Sequence, residues 1–98
     1  MPYTPISAEL WQRLRRLDAR CHVSAWRADE WLVQGQGGRT LWSGVGGPPS
    51  PHRRVWRVRL YPRDSSAIRD IIDTAEPEFA EAISAAVEEA ERRGWTRH

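Results

Sequence analysis

Between Phe79 and Ala90 the apolar residues Phe79, Ala82, Ile83, Ala86, Val87 and Ala90 recur at steps of three and four. An α-helix brings such positions onto one face. Any fold open to this chain must therefore offer an apolar surface to a long C-terminal helix. Glu78, Glu81, Ser84, Glu88, Glu89 and Arg92 fall elsewhere on the helix and can face water. Glu76, Glu78 and Glu81 suit the positive end of the macrodipole, and Arg92 and Arg93 the negative end. Pro77 suits the first turn, where an N–H would have no helical partner. Gly94 reads as the residue beyond the C-terminus, free to take φ > 0, with Trp95 folding back onto the last turn. Burial of Phe79, Ile83 and Val87 stabilises by roughly 1.5–3 kcal/mol each at most.

A second period, of two, governs Val55 to Tyr61. Trp56, Val58 and Leu60 alternate with Arg57, Arg59 and Tyr61. That alternation predicts a half-buried strand of an antiparallel sheet. The first set should face the helices and the second should point away, and Pro62 ends the strand. Around these two segments the rest can be placed. Met1 to Ile6 reads as extended because of Pro2 and Pro5. Ser7 is an N-cap for a helix to about Arg20, with Leu10, Leu14 and Leu17 as its apolar stripe and Trp11 beside them. His22 to Trp26 and Trp31 to Gln34 read as two short strands joined by a turn at Arg27-Ala28-Asp29-Glu30. Arg39 to Val45 reads as a third, and Gly46 to Pro51 as a loop. After Pro62, Asp64 or Ser65 can cap a short helix carrying Ile68, Ile71, Ile72 and Ala75. The architecture that uses every face is a single α+β domain over 1–98. Three or four antiparallel strands form a meander, with an N-terminal helix and one or two C-terminal helices packed on one face.

At 98 residues one modest core is within reach. The single cysteine, Cys21, permits no internal disulfide and points to a reducing compartment. No apolar run follows a basic flank at the N-terminus, and no stretch approaches the roughly 18 apolar residues of a membrane span. The expectation is a cytoplasmic chain without a membrane partner. All 15 basic residues are arginine. Chemistry gives no reason to exclude lysine from a whole surface, whereas a GC-rich coding sequence does, which points to a high-GC bacterium or its phage or mobile elements. The charge is segregated: residues 1–63 carry eleven arginines against four acids, net +7, and residues 64–98 carry four against nine, net −5. Such asymmetry marks either a basic partner-binding face or two halves that attract each other.

The catalytic inventory is poor, and no enzyme is expected. The histidines are His22, His52 and His98. His22 adjoins Cys21, but neighbours on a strand point to opposite faces. One cysteine and three scattered histidines do not make a zinc site. Asp70 with Asp73 and Glu78 with Glu81 share helix spacing, which solvated carboxylates commonly do, and no group is in view to perturb them. Gly35-Gln36-Gly37-Gly38 follows a predicted strand but precedes no helix and no Lys-Ser/Thr, so it lacks the electrostatic half of a phosphate loop. Gly44-Val45-Gly46-Gly47 reads likewise as a turn. No cofactor is expected.

Six tryptophans are more than a small core needs: Trp11, Trp26, Trp31, Trp42, Trp56 and Trp95. Exposed Trp beside Arg suits a protein interface, where both types concentrate. The outward strand face supplies the candidates: Arg57, Arg59 and Tyr61, with Arg54 and one of Trp31 or Trp42 beside them. The partner would be another protein, a second copy of this chain included, or a strand added at the sheet edge. The alternative is nucleic acid, bound through Arg13, Arg16, Arg20, Arg57 and Arg59 with steep salt dependence. Gly47-Pro48-Pro49-Ser50-Pro51-His52, followed by Val55 to Leu60, is similar to the loop and strand of a double-stranded RNA-binding domain. The helix–strands–helix order and Ala82-Ile83-Ser84-Ala85-Ala86 also resemble that family. Two departures set it aside. The last helix opens with Glu76, Glu78 and Glu81, which would repel phosphate, and too little chain follows Tyr61 for two more strands. No functional residue is carried over.

Overall fold

The computed structural model describes residues 6–96. Met1–Pro5, read above as extended, and His98 lie outside the described residues. The long helix forms where its period places it, as α2, Phe79–Arg92. Glu78 takes the cap position, so Pro77 stands before the cap and not in the first turn. Ala82, Ile83, Ala86, Val87 and Ala90 are buried. Gly94 has φ 80°, and the Trp95 N–H donates to the Ala90 carbonyl at 3.0 Å, closing the helix with a residue that tolerates the left-handed region. The first helix, α1, Ala8–Arg15, is capped by the Ser7 hydroxyl, which accepts from the Leu10 N–H at 3.1 Å. It ends earlier than expected. The Cys21 N–H donates to the Leu17 carbonyl at 3.0 Å, and Leu17 to Arg20 wind as turns. Leu10, Leu14 and Leu17 are nonetheless buried against α2 and the sheet.

Four strands follow the antiparallel rule: β1, Cys21–Gln34; β2, Thr40–Ser43; β3, His52–Pro62; and β4, Ile72–Glu76. The fold is α+β, a curled sheet with both helices on one side. Its order is β2-β1-β3-β4, not the sequential order of a meander. Two expectations are corrected. The charged run Arg27 to Glu30 does not turn. It lies within one 14-residue strand, because Asp29 and Glu30 come opposite Arg54 and Arg53 of β3. The segment from Ile68 to Ala75 forms no α-helix. A 3-10 turn, Ile68–Asp70, leads into β4, which pairs with Trp56 to Leu60 and sends Ile72 into the core while Ile68 is left exposed. Satisfying the backbone edge of β3 outweighs the helical spacing of four apolar residues.

The turn between β1 and β2 uses Gly37 and Gly38 at φ 75° and 76°, and no helix follows them. The helices cover only one end of the sheet, where Cys21, Val58, Leu60 and Ile72 complete the apolar core. Beyond that end, β1 and β3 run on together as an arm, with β2 added alongside Trp31 to Gln34. Among the described residues no helix is long and apolar enough to cross a membrane.

Candidate functional site

The β1–β3 register decides what stands on the face turned away from the helices. Trp26 lies opposite Arg57, Ala28 opposite Val55, and Glu30 opposite Arg53. Asp73 of β4 comes opposite Arg59, and Trp42 of β2 opposite Leu32. Directly paired residues share a face, so the outer face collects Trp42, Arg53, Glu30, Arg57, Asp73, Arg59, Trp26 and Tyr61. All of these but Tyr61 are linked in a chain. The Arg53 guanidinium lies 4.4 Å from the Trp42 ring and donates from Nε and Nη2 to Glu30 Oε1, at 2.9 and 2.7 Å. Arg57 Nε donates to Glu30 Oε2 at 2.7 Å, and its Nη1 reaches Asp73 Oδ1 at 3.0 Å. Arg59 Nε takes Asp73 Oδ2 at 2.9 Å, and its guanidinium lies 5.0 Å from the Trp26 ring.

Glu30 is the centre of this chain and only 4% exposed. Burial alone would push its carboxyl up. The hydrogen bonds from Arg57 and Arg53, with the charges behind them, reverse that and hold it below the usual carboxylate range. Val55 shares the outer face and is 4% exposed, yet it lies outside the main apolar cluster. Among the described residues no second layer lies above it.

Of the residues the sequence singled out, Arg57, Arg59, Tyr61 and Trp42 stand on this face. Arg54 and Trp31 do not. They share the helix-side face of the arm, where Arg54 Nε is 3.6 Å from Asp29 Oδ1 and the Trp31 and His52 rings are 4.6 Å apart. The period of two places Arg54 with Trp56, so this separation follows from the same alternation that marked β3. Arg13 is held by Glu91, at 3.1 Å from its Nε, while Arg16 and Arg20 are exposed. The five arginines proposed for nucleic acid therefore fall on two separate surfaces. Sequence reasoning missed Arg53, Glu30, Asp73 and Trp26. The opposite signs of Asp29-Glu30 and Arg53-Arg54 hint at the first two, but only the register pairs them.

Cys21 and His22 separate as strand neighbours must. Cys21 is buried, its thiol donating to the Leu17 carbonyl at 3.5 Å and pushed up by burial, whereas His22 is exposed on the other face. Among the described residues no three His, Cys, Asp or Glu side chains converge where a metal ion could sit. Comparison with protein-family models, with curated proteins and with solved structures finds no match to this chain.

Proposed function

We propose that this chain is a non-catalytic protein-binding module, an accessory or regulatory factor acting in the cytoplasm of a high-GC bacterium or of a phage or mobile element within one. One observation carries the reading: a sheet face, uncovered among the described residues, on which guanidinium groups are fixed over tryptophan rings at 4.4 and 5.0 Å. Fixed arginines and aromatic rings offer contact area at small cost in side-chain entropy, and both types dominate binding hot spots. The surplus of tryptophan supports the same reading.

Nucleic acid is the weaker alternative. Arg57 and Arg59 already spend their charge on Glu30 and Asp73, and Arg13 on Glu91. A phosphate approaching the outer face would meet two carboxylates among three arginines. The experiment is affinity capture from a high-GC host with the native chain and with Trp42→Ser combined with Tyr61→Ser, beside Arg92→Ser on the helix side as control. A partner retained by the native chain and the control but lost by the double variant is expected. A partner retained by all three, or none at all, removes the outer face from consideration. A gel shift with duplex and single-stranded nucleic acid at two salt concentrations tests the alternative, which needs a shift at low salt that disappears at high salt.

A further inference from the structure

The backbone of β1 is paired on one side throughout and on the other only in part. β3 accompanies it from Cys21 to Trp31, whereas β2 accompanies it only from Trp31 to Gln34. The direction of its peptide groups follows from two hydrogen bonds in the same register. The Arg63 N–H donates to the Arg20 carbonyl at 2.8 Å, and the Leu32 N–H to the Pro51 carbonyl at 2.9 Å. Even-numbered residues thus turn their peptide groups toward β3, and odd-numbered residues turn theirs away. The N–H and C=O groups of Val23, Ala25, Arg27 and Asp29 line the other edge, with no backbone partner among the described residues.

This edge is protected only by the charges of Arg27 and Asp29. From His22 to Glu30 there is no proline, no lysine and no glycine, and the register with β3 runs without a bulge. Beside it lies a cleft of about 460 Å³, walled by Trp11, Leu14, Phe79 and Ile83 and floored by Val23 and Ala25. Arg15 and Asp18 stand at the same cleft. Trp11, at 50% exposure, is the largest apolar side chain left open to solvent there.

We propose that a second copy of this chain occupies the edge, β1 against β1 across a two-fold axis, to make one continuous eight-stranded sheet. The open window selects the register. It is bounded at Trp31, opposite Ser43 at the end of β2, and at Cys21, where β1 leaves the Leu17–Arg20 turns. An antiparallel pairing centred on Trp26 fills it from end to end, His22 opposite the partner's Glu30. Shifting the centre to Arg27 or Ala28 drives the entering strand into β2. In the centred register all eight orphaned groups of each copy find partners, since Val23 meets the partner's Asp29 and Ala25 the partner's Arg27. The charges match as well. The partner's Arg27 and Asp29 enter on the side where Asp18 and Arg15 stand. Trp26 meets its own image in a non-hydrogen-bonded pair, the geometry in which cross-strand aromatic rings come closest. The outer face of each copy is left open, so this assembly does not depend on that face binding anything.

The test uses the purified chain alone. Sedimentation equilibrium should give a dimer. Ala25→Pro removes an N–H that points away from β3, so the fold is kept, and the dimer should weaken at least about tenfold. Ala25→Lys, which charges the edge without touching the backbone, should do the same should the proline variant fail to fold. Trp26→Cys treated with diamide should give a disulfide-linked dimer, because opposed residues of a non-hydrogen-bonded pair have Cα atoms about 4.5 Å apart. Ser24→Cys, offset from its own image by four residues, should not. A native chain that is monomeric up to about 1 mM, or a dimer that survives both Ala25 variants, overturns the proposal. So does a dimer in which position 24 cross-links and position 26 does not.

Discussion

Around Leu60 the sheet lies beneath two helices, and its inner face is closed by Val58, Ile72, Ile83 and Val87, each 2% exposed or less. Around Arg53 the same two strands run without a helix above them. What holds them there is polar: Glu30 between two arginines, His52 on Asp29, the Trp31 ring tilted against His52, and the Arg53 guanidinium over Trp42. The first region is built from non-directional burial, which tolerates small displacements. The second depends on a few groups that must each find a partner, since a buried charge left alone costs several kcal/mol. One strand pair therefore connects a core that should unfold globally with an arm that can open by itself.

The largest effect should come from the covered end. Leu60→Ala deletes a fully buried side chain that both β4 and α2 pack against, and should cost about 3 kcal/mol in urea unfolding. Hydrogen exchange should accelerate most in α2, β4 and the near halves of β1 and β3, because the arm already exchanges through an opening of its own. An arm that accelerates as much as α2 would mean the two regions open only together.

Next is Glu30→Gln. It leaves Arg53 and Arg57, with side chains 29% and 19% exposed, without the anion they share. Full burial would make the loss 3–5 kcal/mol; water at the two arginines reduces it to about 2 kcal/mol. The pH dependence gives an independent check. The folded-state pKa of Glu30 is depressed, so its contribution is complete above the ordinary carboxylate pKa of about 4.3 and is lost as pH falls through the lower, folded value. The stability gap between native and variant chains should be flat near neutrality and close in acid. A gap that widens below pH 4 would mean the carboxyl is not held down by its arginines.

What the sequence disclosed divides along the same line. α2 was legible down to its Gly94-Trp95 ending, because helical period and cap chemistry are local. The middle of β3 was legible because burial on one side writes itself into alternate residues. The arm was not. Arg27 to Glu30 looks like a turn to any local rule, and becomes strand only because Arg53 and Arg54 arrive from more than twenty residues away. Ile72 likewise sits in a helical spacing and is drawn into β4 by the edge of β3. The outer face was half legible. Arg57, Arg59 and Tyr61 followed from period two, whereas Glu30 and Asp73 required the register.

Gly46→Ala acts on the arm alone. A Cβ there would lie 2.7 Å from Trp31 Cβ and 3.2 Å from Val33 Cγ1, where the loop between β2 and β3 crosses the strand. Backbone and loop must shift, at a cost of about 1 kcal/mol. Exchange should quicken in β2 and in the far halves of β1 and β3, with α2 and β4 unchanged. Equal acceleration in α2 would unite the two regions in one cooperative unit.

Asp73→Asn should be the mildest, and it tests where the polar chain meets the covered end. Asp73 sits on β4, beneath which the core is apolar, yet its side chain is 34% exposed and accepts from both Arg57 and Arg59. Asparagine keeps one acceptor oxygen and removes the charge. Solvent at the pair limits the loss to about 0.5 kcal/mol, and added salt should shrink it further. Glu30 should still hold Arg57, so combining Asp73→Asn with Glu30→Gln ought to cost more than the two single losses together, because Arg57 would then have no carboxylate at all. Strict additivity would show that Arg57 is kept in place by its strand and not by its anions, and the outer face would then be a row of separate contacts.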